Sequence, residues 1–411
     1  MDADIVLQDK VIDTVKEEVF TYKLWKKVSD IPICWDQLVA SKDLFLSLKY
    51  LYALEKKAPI GMKLYFIGFY KDKKLIGATL FQTTQIKASE AYRGLRFSSK
   101  KGIRSFIEKF LKTHILKLFN LKILVCGNLM LTGEHSYYFD FNSISEKKAL
   151  SLWYKAIYNF KKLKYKPDLT LLKDFFDHKK YDFEILKKEH YHSYYVEPNM
   201  ILHLNPEWNS LADYTAVMKK KYRARVTTAR KKFNTTRKKT LSYSEIVEHK
   251  SSLFKLYKNV SDNASFNTFI LNEDYFQEMK QNLDQKFHLT AYFLEGEIIG
   301  FFTVILDQNK IITHFLGYCP KCNKTYQLYL NMLLDMVEIG IKEKAKDIIY
   351  ARTALEIKSS IGAIPYQMEG FVKYENPFLN KLVFSLFKLV KPKDNWIQRR
   401  PFKKTYLNTV R

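Results

Sequence analysis

The sequence predicts a mixed α/β protein made of two tandem units, each a largely antiparallel sheet flanked by helices, and two repeated patterns carry the prediction. LYFIGFYKDKKLIGATLFQTTQI at 64–86 and LTAYFLEGEIIGFFTVILDQNKI at 289–311 share a strand, a charged turn, an Ile-Gly pair and a second strand. Alternation of apolar and polar residues about such a turn marks a β-hairpin. Further on, KILVCGN at 122–128 is matched by DIIYART at 347–353. Gly77 to Gly300 and Gly127 to Arg352 stand at nearly the same spacing, so two elements recur in the same order, as a tandem repeat requires.

The elements follow in order. Residues 1–29 read as a helical segment that opens with acids, and 30–200 as the first unit. Residues 201–242 form a basic connector, in which Asn205-Pro206 and the periodic Leu211, Tyr214, Val217 and Met218 predict a capped helix. Its part from 218 to 239 holds eleven Lys or Arg and no acid. The second unit spans 243–376, where Ile348, Ile349 and Tyr350 form an unbroken β-branched and aromatic run suited to a buried strand. In the C-terminal segment 377–411, PFLNKLVFSLFKLVKPK gathers Lys381, Ser385 and Lys388 on one narrow stripe of an otherwise apolar helix. KKGIRSFIEKFLKTHILKLF at 100–119 repeats the theme, and both stretches suit in-plane burial at a membrane surface or packing on their own unit.

With 411 residues and 47% hydrophobic content, the chain can fill the cores of two or three domains. A net charge of +26 points to an anionic partner: RNA, an acidic carrier protein or an anionic membrane surface. Cys34, Cys126, Cys319 and Cys322 are too scattered for a disulfide framework, which fits a reducing cytoplasm. The CxxC of Cys319 and Cys322 lacks the complementary ligand pair of a closed zinc site, so no metal is expected. The acidic start lacks the positive n-region and apolar core of a signal peptide, and no window offers the roughly 20 apolar residues of a membrane span. The expected location is therefore cytoplasmic, at the inner face of the membrane.

Taken together, the Ile-Gly hairpins, ARTALEIKSSIGA after the late strand, LFKLYKNVSDNASFNT at 253–268 and FFTVILDQNKIITHFLGY at 301–318 resemble the GNAT superfamily, more closely its Fem-like double-GNAT branch. The resemblance covers about 30–376 and implies an acyl- or aminoacyltransferase. One departure stands out. GNAT enzymes follow the central strand with a Gly-rich loop that cradles the pyrophosphate of coenzyme A, whereas no glycine lies between Cys319 and Leu333 here. The resemblance thus implies no permanently bound cofactor and a bulky anionic donor: an acyl thioester on acyl carrier protein, acyl-CoA, or a charged transfer RNA.

Acyl transfer to an amine needs a base, an oxyanion donor and an acid for the leaving group. Such folds take the oxyanion donor from a strand-edge amide, so no side-chain signature marks it. Glu356, just beyond a buried strand, is the leading base, since partial desolvation would raise its pKa; the alternative is an ion pair with Arg352. His314, embedded in the strand IITHFLGY, is a second candidate or a satisfied core histidine. Tyr326 would protonate a departing thiolate, and Tyr329 would line the donor channel. Arg352 and Lys358 suit a phosphate or sulfonate. Glu134 and His135, in the Gly-bounded loop of the first unit, form a second polar site, and Asn263 and Asn267 are possible substrate contacts.

The first functional expectation is an N-acyltransferase moving a long acyl chain to a lipid-like amine, such as a sphingoid or sulfonolipid base. The alternatives are an aminoacyl-tRNA-dependent enzyme acting on a cell-wall precursor and a non-catalytic double unit that binds nucleic acid.

Overall fold

The computed structural model describes residues 6–8, 19–87, 120–176, 183–263, 268–381 and 396–403. Contacts divide the chain into two compact units: Met1–Tyr195 with Ala264–Asn272 and Glu369–Pro392, and Val196–Asn263 with Glu273–Met368 and Lys393–Arg411. The stretch 100–119, residues 382–393 of the C-terminal stretch, and Asn267 lie outside the described residues.

The first unit runs β1 (Val6–Gln8), β2 (Phe20–Trp25), α1 (Cys34–Val39), α2 (Leu48–Lys56), β3 (Lys63–Lys71), β4 (Lys74–Lys87), β5 (Asn120–Cys126), β6 (Tyr137–Phe139), α3 (Glu146–Leu163), β7 (Leu169–Phe176), α4 (Glu184–Lys188) and β8 (His192–Tyr195). The charged turn between β3 and β4 puts Asp72 and Lys73 at φ 47° and 73°, the two-residue geometry whose twist suits a hairpin. Ser145 caps α3 by accepting the Lys148 amide, and the apolar stripe Ala149, Trp153, Ala156, Ile157 and Phe160 buries that helix against Phe81, Leu124 and Leu172 of the sheet. Strand order is β1-β2-β3-β4-β5-β7-β16-β8, with β6 added on β4; β16 (Met368–Tyr374) comes from far along the chain, and the segment 1–29, expected to be helical, supplies the paired strands β1 and β2 instead.

The second unit runs β9 (Asn199–His203), α5 (Leu211–Ala216), α6 (Lys220–Phe233), β10 (Arg237–Thr240), α7 (Tyr243–Glu248), α8 (Lys250–Asp262), α9 (Tyr275–Leu283), β11 (Phe287–Leu294), β12 (Glu297–Asp307), β13 (Lys310–Tyr318), α10 (Pro320–Tyr326), α11 (Leu328–Lys342), β14 (Asp347–Ile349), α12 (Leu355–Ser360) and β15 (Ile364–Tyr366). Its strand order is β10-β11-β12-β13-β14-β9-β15. All neighbours pair antiparallel except β13 and β14. The helix expected from Asn205 begins later. Ser210 and Asp213 form a reciprocal capping box there, and the chain then breaks at Val217 into α5 and α6, so the expected cap at Asn205 is replaced. Ile348, Ile349 and Tyr350 are buried as expected. α11 is apolar on most sides and lies in the core with Val226, Phe233, Phe302 and Ile348.

Candidate functional site

The one parallel pair of the second sheet, β13 and β14, forks. Lys310, Ile311 and Ile312 pair with Asp347, Ile348 and Ile349, and there the pairing stops. β13 continues to Tyr318 along β12, whereas β14 turns away: the Tyr350 amide donates to Met200 O at 2.8 Å and Ala351 takes φ 57°. From Thr313 to Tyr318, then, β13 has no strand on its β14 side among the described residues. Alternate residues of that edge turn N–H and C=O groups into the opening. A bulge lies within the same stretch. Thr303 faces the extra residue, its hydroxyl accepting from Phe315 N at 2.8 Å and lying 2.9 Å from Phe315 O, which increases the local twist. Crevices at the carboxyl ends of parallel strands are the usual ligand sites of open α/β sheets.

Tyrosines cluster at the fork. Tyr318 ends β13, Tyr350 follows β14, and Tyr329 stands in the first turn of α11, its ring 6.3 Å from that of Tyr318. Burial raises the Tyr329 phenol above its ordinary pKa, with nearby Tyr318 adding to the effect, and burial does the same to Tyr318 and Tyr350. These phenols are therefore neutral donors at physiological pH. Tyr350 donates to Leu333 O at 2.9 Å, while the hydroxyls of Tyr318 and Tyr329 make no hydrogen bond among the described residues. Tyr318 went unnoticed in the sequence because only the end of pairing at Ile312 places it on a free edge. Tyr326, at the end of α10, packs half-buried against the same core. In place of a Gly-rich loop, the chain between β13 and α11 forms α10, followed by Gln327 in the left-handed region at φ 50°. Cys319 opens α10 as its cap, its Sγ accepting from the Cys322 amide at 3.4 Å, and both thiols are free.

Lys358 is 4% exposed, and its Nζ donates to three carbonyls, Tyr350 O at 2.6 Å, Arg352 O at 2.5 Å and Ala351 O at 3.3 Å. It organises the turn after β14 from within. Arg352 lies half-buried in that turn. The desolvation expected of Glu356 is absent. Its side chain is 49% exposed and is paired with Arg399, not with Arg352. The sequence could not show this partner, because Arg399 arrives from the C-terminal segment. His314 sits on β13 with Nε2 3.1 Å from the Tyr275 hydroxyl and its ring against Phe315; its Nδ1 is sealed and has no partner among the described residues. Burial pushes its pKa down to about 3, so the ring is neutral. Asn263 is exposed and donates to Asn259 O at 2.6 Å, tying down the end of α8.

The first unit has the corresponding fork, and it is filled. β5 and β7 run parallel from Ile123–Leu169 to Cys126–Leu172, after which the chain turns at Gly127 with φ 124°. Ser136 Oγ then lies 3.2 Å from Cys126 O and 2.8 Å from Lys173 O, bridging the two strands; a Cβ on Gly127 would meet that oxygen at 2.8 Å. Glu134 and His135 belong to this plug. Glu134 accepts from the Phe176 amide at 2.7 Å, and His135 Nδ1 is 3.0 Å from Asp43. Lys173 adds an inward bond to Leu131 O at 3.1 Å.

A duplicated unit with a central antiparallel hairpin, a bulged strand and a parallel fork gives the chain a Fem-like double-GNAT fold. No family model and no curated protein matches the sequence. Among solved structures the chain is similar to FemX, with a TM-score of 0.50 and 13% identity over 83% of this chain and 94% of that one. It is also similar to a tandem GNAT protein from the clavulanic acid biosynthesis pathway (TM-score 0.46, 9% identity, 80% and 88% covered) and to L-PGS from Bacillus licheniformis (0.45, 12%, 83% and 95%).

Proposed function

We propose that the protein transfers an acyl group from a thioester to an amine in the β13–β14 fork of its second unit. The observation that carries this reading is the contrast between the two forks: one plugged by Ser136 and its loop, the other edged by a stretch of β13 with no pairing strand among the described residues and by neutral tyrosines. An extended thioester arm laid along β13 would complete the strand edge. The amine nitrogen attacks the carbonyl carbon, and the resulting oxyanion accepts an N–H from β13. Pre-aimed donors of this kind supply roughly 10² to 10³ in rate. The C–S bond then breaks as Tyr329 gives its proton to the thiolate, and the phenolate recovers a proton from the nitrogen, leaving an amide and a thiol. No acceptor role is proposed for neutral His314, whose Nδ1 is sealed in the interior. No base role is proposed for exposed, paired Glu356.

A lipid-like acceptor, and attachment to the cytoplasmic face of a membrane, rest on the amphipathic stretches 100–119 and 377–393. No helix among the described residues is long and apolar enough to cross a bilayer. The test is turnover of acyl thioesters against a panel of long-chain amines, followed by mass spectrometry. Tyr329→Phe should lower kcat by about 10²-fold with thioester affinity unchanged. Equal turnover in that variant would remove Tyr329 from the mechanism, and the absence of any amide product would end the proposal.

A further inference from the structure

The basic segment divides into cations the fold uses and cations it does not. Arg230 and Lys238 turn inward to Asp335, whose side chain is 1% exposed, at 2.8 and 2.9 Å; both also reach Glu338, and Tyr292 donates to Asp335 at 2.6 Å. Lys239 pairs with Glu245, and Arg237 lies over the Phe293 ring. By contrast, Lys220, Lys221, Arg223, Lys231 and Lys232 are exposed and have no carboxylate partner among the described residues. They share α6, whose Val226, Ala229 and Phe233 face the core. Three of these cations stand in the first turn of the helix, which holds no acid and whose cap residue, Lys219, makes no capping side-chain bond, its Nζ donating instead to Arg400 O at 3.0 Å. Cations there oppose the helix dipole. A local rule broken without compensation inside the fold points to a partner outside it.

The placement is informative too. α6 packs against α10 and α11, and Arg225 reaches Ser360 of α12 at 3.1 Å. It therefore flanks the helices that follow both prongs of the fork. The exposed residues between these cations include Ala224, Thr227 and Thr228, and Tyr222 packs half-buried against the core, so the face offers neither an apolar wedge for a bilayer nor a fully exposed ring to stack on bases.

We infer that this face of α6 docks an acidic helical carrier protein that delivers the acyl group to the fork as a thioester on a flexible arm. Carboxylates spaced three and four residues apart on a partner helix would meet cations of the same spacing. The inference rests on the acyl-transfer reading for its purpose, though not for its test.

The full-length protein and its K220E/R223E/K231E variant would be compared in two ways. Fluorescence anisotropy would measure binding of palmitoyl acyl carrier protein, and turnover would be measured with the palmitoyl group on that carrier and on pantetheine. Binding should weaken by about 10-fold or more and be strongly salt-sensitive in the parent. The ratio of carrier-borne to pantetheine-borne turnover should fall likewise. Unchanged carrier binding in the variant would overturn the proposal. So would a parent that ignores the carrier while using these cations to hold transfer RNA or phosphatidylglycerol vesicles. Carrier binding lost in the variant, with neither thioester ever consumed, would uphold the surface and refute the acyl-transfer reading alone.

Discussion

Lys358 shows how one buried charge shapes the fork. Its three N–H donors match three carbonyls in a turn where Ala351, Thr353 and Ala354 adopt φ of 57°, 65° and 48°. Such left-handed residues cost of the order of 1 kcal/mol or more each and persist only where the surroundings over-determine them. Burial pushes the Lys358 pKa down to about 7. In the unfolded chain the ammonium returns to its ordinary value near 10.4, so between these limits the unfolded state binds the extra proton. Stability should accordingly rise with pH across that window, by at most about 1.4 kcal/mol per unit. Below pH 7 both states are protonated and the burial penalty is fully felt. Urea unfolding of the parent and Lys358→Met from pH 7 to 10 would show it: the variant should lose the upward slope, and a slope retained in full would assign it to other groups.

Among the elements, Gly317 on β13 is the tightest constraint beside the fork. A Cβ there would meet the backbone nitrogen of Tyr257 at 2.4 Å and the carbonyl carbon of Leu256 at 2.5 Å. Backbone cannot swing aside as a side-chain tip can, so Gly317→Ala must push α8 off β13. A loss of about 1–3 kcal/mol in chemical denaturation is expected. Gly300→Ala, which meets mainly the mobile methyl end of Met332 at 2.9 Å, should lose less. Equal losses would contradict this account of the packing. The same elements mark what the sequence disclosed. Both hairpins and the strands at 122–128 and 347–353 were legible because alternation and turn chemistry are local. The partners that decide the site were not: Arg399 for Glu356, Asp43 for His135, and the carbonyl clasp of Lys358 join residues far apart in the chain. Burial of a lysine leaves no mark in periodicity, and the plug in one fork was hidden because a serine between two strands looks like any loop serine.

At the scale of the whole molecule, the chain path passes from the first unit to the second and back. After β8 the chain leaves the first sheet for β9 in the second, and after β15 it returns to place β16 between β7 and β8. The first unit therefore completes its sheet with a strand that follows β15 of the second. Phe371 of β16 enters its core beside Phe175 and Phe183, and Glu375, just after β16, accepts from Lys161 at 2.9 Å and from Thr170 at 2.5 Å. A chain ending at Tyr195 would retain most of the first sequence repeat yet lose the strand beside β7, exposing an unpaired edge and a gap where Phe371 belongs. Residues 1–195 expressed alone should aggregate or show no cooperative melting transition, and co-expression with 196–411 should restore a soluble pair. A cooperative, soluble 1–195 fragment would show that the returning strand is dispensable. That outcome would also imply that the plugged fork is held by Ser136 and its neighbours without help from the end of the chain.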